Sequence, residues 1–189
     1  MAVALFKGEN GITGEVIFSE SPTGTKVYAI FTELPKGKHG FHIHKAGDLR
    51  GEGCKAACDH FHMGAKTQHG GPPSSTSKNH PRHTGDLGNL TGPKDEVTYL
   101  LKGVTLEDLW GRSVIVHEDE DDLGKGPFED SHTTGHSGKR IGCAIIGRVE
   151  TSPWGFGDMV AKSELRCNGT TAPTKTRKLR HRNRHNSTP

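Results

Sequence analysis

Short apolar or alternating runs recur at residues 2–6, 15–18, 26–32, 40–44, 97–101, 113–117 and 142–149. They are rich in Val, Ile, Phe and Thr, residue types that suit a pleated, half-buried surface. Turn signals lie between them: Gly8-Glu9-Asn10-Gly11, Ser21-Pro22-Thr23-Gly24 and Pro35-Lys36-Gly37. Short strands at this spacing, with no long helical period, predict an all-β antiparallel sandwich or barrel. Two long connections interrupt the pattern, residues 45–90 and 118–141, and they hold most of the histidines. Structureless connections of that length carry function or need cross-links. The pattern stops after Val149. Residues 170–189 contain one large aliphatic residue, Leu179, and cannot bury enough surface to fold alone. The expected organisation is one domain over residues 1–150 and a disordered tail over residues 151–189.

Composition agrees. The chain of 189 residues has 26 glycines and only 30% hydrophobic residues, which argues against a helical bundle. It has no run of 18 apolar residues that could form a membrane-spanning helix. The net charge of +3 hides an asymmetry: residues 1–150 carry 17 basic and 20 acidic side chains, and residues 151–189 carry eight and two. Such a basic tail either stays solvated or binds polyanions weakly, without sequence choice. The N-terminus turns charged at Lys7, too early for a secretory apolar segment, so a cytoplasmic protein is expected. In that compartment Cys54, Cys58, Cys143 and Cys167 stay reduced unless protected.

Histidine changes the picture most. There are 13, of which 11 fall within residues 39–136, a clustering that makes metal binding the leading hypothesis. On a strand, His42 and His44 share one face with Ile43 on the other, as a metal-binding pair or a structural one. His117 ends another strand pattern. His60, His69, His83 and Asp86 supply three nitrogens and an oxygen, enough for a closed tetrahedral zinc site with bonds of ~2.0–2.2 Å. A rival zinc knuckle would use Cys54, Cys58, His60 and His62, but Cys-x3-Cys-x-His-x-His is not a common finger spacing.

Several motifs fall in one order: His42-Ile43-His44, Asp59-His60-Phe61, His69-Gly70-Gly71-Pro72, His83-Thr84-Gly85-Asp86-Leu87-Gly88-Asn89, Val116-His117-Glu118, Asp121 to Gly126, and Gly138-Lys139-Arg140-Ile141-Gly142-Cys143. Over residues 2–149 the chain resembles the copper/zinc superoxide dismutases of the eukaryotic cytosolic kind. The resemblance implies an immunoglobulin-like Greek-key β-sandwich with two long functional loops. It implies copper at His42, His44, His60 and His117, and zinc at His60, His69, His83 and Asp86. His60 bridges the two metals, and Asp121 links a copper histidine to a zinc histidine. Arg140 holds the anion, and a Cys54–Cys143 disulfide ties the long loop to the last strand. Copper cycles between two oxidation states while one superoxide leaves as O2 and the next as H2O2, with His60 carrying a proton. A homodimer is usual among such proteins. The alternative function is an inactive or copper-chaperone-like relative, but the six histidines, Asp86 and Arg140 are all present.

The chain also departs from the family pattern. The stretch from His69 to His83 is longer than usual and adds His80, a rival ligand; His83 is preferred because it sits in the matching motif. His39 matches a structural histidine, and His62, His132 and His136 are not expected to be ligands. Asp119 and Thr133 stand where relatives often carry lysines near the copper channel. Ala46, Trp110 and Arg148 alter positions of the usual dimer contact. Cys58 is an addition that could compete for Cys143 or stay free, and Cys167 is expected to be free. The tail and altered interface suit a viral member, acting in host cytoplasm or carried in a virion.

Overall fold

Alternation along the chain becomes two antiparallel sheets in the computed structural model, which describes residues 1–65, 67–73 and 81–149. The strands are β1 (Ala2–Lys7), β2 (Thr13–Ser21), β3 (Gly24–Glu33), β4 (Lys38–His44), β5 (Asp86–Thr91), β6 (Asp95–Lys102), β7 (Ser113–His117), β8 (Arg140–Ile145) and β9 (Gly147–Arg148). One sheet has the order β6-β3-β2-β1-β9 and the other β5-β4-β7-β8. A four-residue helix, α1 (Ser131–Thr134), lies in the second long loop.

The core lies between the sheets. In β3, buried Val27, Ala29 and Phe31 alternate with more exposed neighbours, as a strand with one wet face requires. Phe31 meets Phe41 of the opposite sheet edge to face, with centroids 5.8 Å apart, and Phe6 packs on Phe31 at 5.2 Å. Each buried Phe contributes roughly 1.5–3 kcal/mol by leaving water. β4 and β7 are buried on both faces. Phe41 and Ile43 enter the core, while His42 and His44 point the other way and are still covered by the long loops.

Two expectations need correction. The first connection does not run to residue 90, because Asp86–Thr91 forms β5 and pairs with β4. Gly88 breaks the apolar alternation there, and the register shifts between Gly40 and His42. The run at 142–149 is also not one strand. It begins at Arg140, breaks at buried Ile146, and β9 continues in the other sheet beside β1.

Residues Met1–Val149 form one compact unit. The tail, His80 and Cys167 lie outside the described residues. Cys54 and Cys143 are joined by a disulfide spanning 89 positions, and Cys58 is free and exposed. The chain-entropy model gives roughly 4–5 kcal/mol for closing a loop of that length. No helix among the described residues is long and apolar enough to cross a membrane.

Candidate metal centre

The β4–β7 ladder sets His42 opposite Ile115 and His44 opposite Ser113, so that His42, His44 and His117, two positions on from Ile115, share one face of the sheet. His60 comes from the first loop and is fixed by an antiparallel bridge to His44. The result is a buried cluster of four, His42, His44, His60 and His117, with one ring nitrogen of each within 4.8 Å of the others. The nitrogens facing away are held. His42 Nε2 donates to Asp121 Oδ2 at 2.9 Å, His44 Nδ1 to the Cys58 carbonyl at 2.7 Å, and His117 Nδ1 to the Gly138 carbonyl at 3.2 Å. Such partners fix the tautomer and aim the free nitrogen inward.

A second cluster shares His60: His60, His69, His83 and Asp86. Asp86 Oδ1 lies 2.8 Å from His60 Nδ1, 3.1 Å from His69 Nδ1 and 3.3 Å from His83 Nδ1. Asp86 Oδ2 accepts from the backbone N–H of Gly70 at 2.9 Å and of His83 at 2.7 Å. Its carboxylate is therefore oriented by two donors, with one oxygen left facing the three rings.

Asp121 ties the clusters together, its Oδ1 accepting from His69 Nε2 at 2.8 Å while Oδ2 serves His42. Gly135 packs against this bridge at φ +71°; a Cβ there would collide with Asp121 Oδ1 and His69 Nε2, so only glycine fits.

Three buried histidine nitrogens have no hydrogen-bond partner among the described residues: His42 Nδ1, His60 Nε2 and His69 Nδ1. His69 Nδ1 is near Asp86 but poorly aligned for a hydrogen bond. Buried polar atoms are rarely left unpaired. These three face the centres of the two clusters, and His60 is directed both ways, with Nε2 towards the first and Nδ1 towards the second. The donor sets fit two metal ions: four imidazoles suit copper, and three imidazoles with a carboxylate suit zinc.

Charge separates the clusters. Burial, then the neighbouring His60, pushes His42 and His44 well below the ordinary histidine range, and pushes His117 down to about 3. These rings are neutral ligands at physiological pH. In the second cluster burial also depresses His69, but the hydrogen bond to Asp121 and the close Asp86 carboxylate outweigh it and raise His69 to about 9. Burial opposes the Asp86 charge, yet hydrogen bonds with His60 and His83 and the nearby His69 ring keep Asp86 far below the carboxylate range. The carboxylates hold a positive charge in the second cluster, and a metal cation arriving there displaces a proton.

Arg140 stands at the rim, half-buried, paired with His117 across β7 and β8. Its Nη1 donates to the Cys54 carbonyl at 2.7 Å and its Nη2 to the Cys58 carbonyl at 2.5 Å. The disulfide-bound loop thus aims the guanidinium.

Every site residue expected from the sequence is found in this region, and the other histidines among the described residues, His39, His62, His132 and His136, stay out of both clusters. His39 bridges backbone carbonyls, including that of His117 at 3.0 Å, and His62 Nδ1 accepts from the Thr84 N–H at 3.2 Å. His132 is exposed, and exposed His136 donates to Asp130 at 2.7 Å. Sequence reasoning did not see that carbonyls of Cys58 and Gly138 hold His44 and His117. It also assigned nothing to Asn89, which exchanges two hydrogen bonds with the Asp121 backbone, at 2.7 and 2.8 Å. The Asp86-Leu87-Gly88-Asn89 motif was the available signal.

Fold and site together define a histidine-rich, two-metal protein on an antiparallel β-sandwich. The model of the family "copper/zinc superoxide dismutase" matches residues 12–146. The chain is 41% identical over 153 residues to the Cu-Zn superoxide dismutase of Paramecium bursaria Chlorella virus 1, covering 77% of each protein. It is 40% identical to the enzymes of that name from Candida albicans, covering 79% of this chain and 98% of the relative, and from Saccharomyces cerevisiae, covering 77% and 96%. The chain belongs to the copper/zinc superoxide dismutase family. It is an oxidoreductase that disproportionates superoxide, with copper and zinc as its cofactors.

Proposed function

We propose that residues 1–150 perform the dismutation with copper held by His42, His44, His60 and His117 and zinc by His60, His69, His83 and Asp86. The observation that carries this reading is His60, whose two nitrogens are directed to different clusters, with Nε2 unpaired. Copper supplies one-electron redox chemistry when bound, and zinc a fixed charge. Arg140, permanently cationic, receives superoxide with its guanidinium edge. His60 Nε2, when not engaged by copper, can hold one proton and give it to the second superoxide; with a second proton from solvent, two superoxide ions and two protons give O2 and H2O2. His60 Nδ1, 2.8 Å from Asp86 Oδ1, would remain with the zinc set and keep the ring oriented. Asp121 holds His42 and His69 in the tautomers that leave their Nδ1 atoms free. The test is His60→Ala in protein loaded with both metals. Superoxide consumption should collapse; full activity with normal metal content would reject the bridging role.

A homodimer fits the surface. Leu5 and Ile145, each 49% exposed, lie on β1 and β8, which pack together. The Arg148 guanidinium covers Trp110 at 5.0 Å, so this charge has an aromatic face to rest on at the altered contact. Sedimentation should give twice the chain mass, reduced by Ile145→Asp. The exposed thiol of Cys58 fits a reducing compartment, and the cytoplasm is the one we propose, checked by fractionation. The charge of residues 151–189 supports weak polyanion binding, which should fall steeply with salt and vanish on truncation after residue 150.

A further inference from the structure

We propose that Arg82 is the positioning residue of the zinc half-site, a planar clasp that closes the loop on which His69, His83 and Asp86 are carried. The inference rests on the zinc reading above and concerns a residue outside the ligand set.

The loop leaves the site just after His69 and returns just before His83, and the two passes touch. A Cβ on Gly70 would collide with the Pro81 carbonyl, so the chains meet there backbone to backbone. Arg82 spans this neck. Its Nε donates to the Gly71 carbonyl at 3.0 Å on the outgoing side. Its Nη2 donates to the Thr84 carbonyl at 3.1 Å and the Asp86 carbonyl at 2.5 Å on the returning side. The three acceptors lie two residues after His69, one after His83, and on Asp86 itself. One rigid fork therefore sets the spacing of all three.

Charge alone does not explain this residue. A cation beside a site for a divalent cation opposes binding by Coulomb repulsion, and burial adds a desolvation cost. Among the described residues, every hydrogen bond Arg82 makes goes to a backbone carbonyl. What arginine offers here, and lysine does not, is several donors fixed in one plane. The geometry therefore outweighs an unfavourable charge.

The test uses the full metal-free chain, titrated with zinc alone and with cobalt(II) as a spectroscopic probe of the same site. Arg82→Lys keeps the charge and loses the fork, Arg82→Met loses both, and His69→Ala removes a ligand. Both Arg82 variants should bind zinc about 10–100-fold more weakly, the range for partners that orient a ligand set. Their cobalt bands should change, while copper affinity stays close to that of the parent, because Arg82 donates only to the Gly71, Thr84 and Asp86 carbonyls and to none of the copper set. Wild-type zinc affinity and cobalt bands in Arg82→Lys would overturn the clasp, as would an equal loss of copper and zinc, which signals general unfolding. If His69→Ala also bound zinc like the parent, the zinc assignment itself would fail; a loss in His69→Ala with no change in Arg82→Lys would sink only the role of Arg82.

Discussion

Three of the four histidines in the first ligand set sit on strands, His42 and His44 on β4 and His117 on β7, whereas His69 and His83 in the second set sit on a loop and Asp86 at the start of β5. The ladder places the first three rings before any metal arrives. The second set depends on hydrogen bonds within the loop, on Asp86 and on the metal itself. A strand-borne set is expected to tolerate loss of the other metal, and a loop-borne set is expected to stabilise the protein once filled.

The sharpest way to break this comparison is His117→Ala. The variant should lose copper and dismutation while keeping most of its zinc, because His117 belongs to the first cluster alone. Full activity in copper-loaded variant protein would show that the ring is dispensable. His69→Ala reverses the test. Copper binding should persist, but zinc binding should go, along with the stability that saturating ligand gives the folded state. Its thermal midpoint should fall by about 10 °C against the zinc-loaded parent. An unchanged midpoint by calorimetry would mean the loop does not need its metal.

Cys143→Ser tests the covalent support of the same loop. It should cost roughly 4–5 kcal/mol in denaturant unfolding and lower superoxide consumption, since the Cys54 and Cys58 carbonyls aim Arg140. Stability lost with activity fully kept would separate the disulfide from the guanidinium. In the native protein, non-reducing peptide mass spectrometry should link Cys54 to Cys143, and a dominant Cys58 link would contradict the fold.

The two sets also differ in sign with pH in metal-free protein. His117 has a folded value of about 3 against an ordinary 6.5. Between these values the unfolded chain takes a proton that the folded chain refuses, so stability falls as pH drops from about 6.5 towards 3. His69, raised to about 9, contributes stability that is complete below 6.5 and lost as pH rises through 9. Calorimetry across this range should show a loss on both flanks. A midpoint that rises on acidification from 6.5 would contradict the neutral, buried state of the strand set.

The smallest effect concerns substrate capture. Asp119 and Thr133 are exposed, and five acidic residues crowd Glu118, Asp119, Glu120, Asp121 and Asp122. Replacing Asp119 and Thr133 together by lysine should speed superoxide consumption a few-fold at low salt, with the gain shrinking as salt screens it. No change at low ionic strength would place these side chains away from the channel.

Much of the strand-borne set could be read directly, because period-two alternation dictates that His42 and His44 share a face opposite Phe41 and Ile43. The loop-borne set was legible only through ordered motifs, since loop backbones carry no periodic signal. β5 escaped because Gly88 interrupts its apolar run. The break at Ile146 was hidden because both flanking strands are apolar and only the change of sheet separates them. The carbonyl partners of His44 and His117, and the donors of Arg82, depend on backbone atoms that residue identity does not announce.

The central claim is that one histidine, His60, joins a strand-borne copper site to a loop-borne zinc site. Anomalous diffraction from crystals of the fully metallated protein, measured at the copper and zinc edges, tests it most directly. The account predicts a copper peak among His42 Nδ1, His44 Nε2, His117 Nε2 and His60 Nε2, and a zinc peak among the Nδ1 atoms of His60, His69 and His83 and Asp86 Oδ1, with bonds of ~2.0–2.2 Å. A metal exchanged between the sets, or His60 lying more than about 3 Å from either peak, beyond any ligand bond, would contradict it.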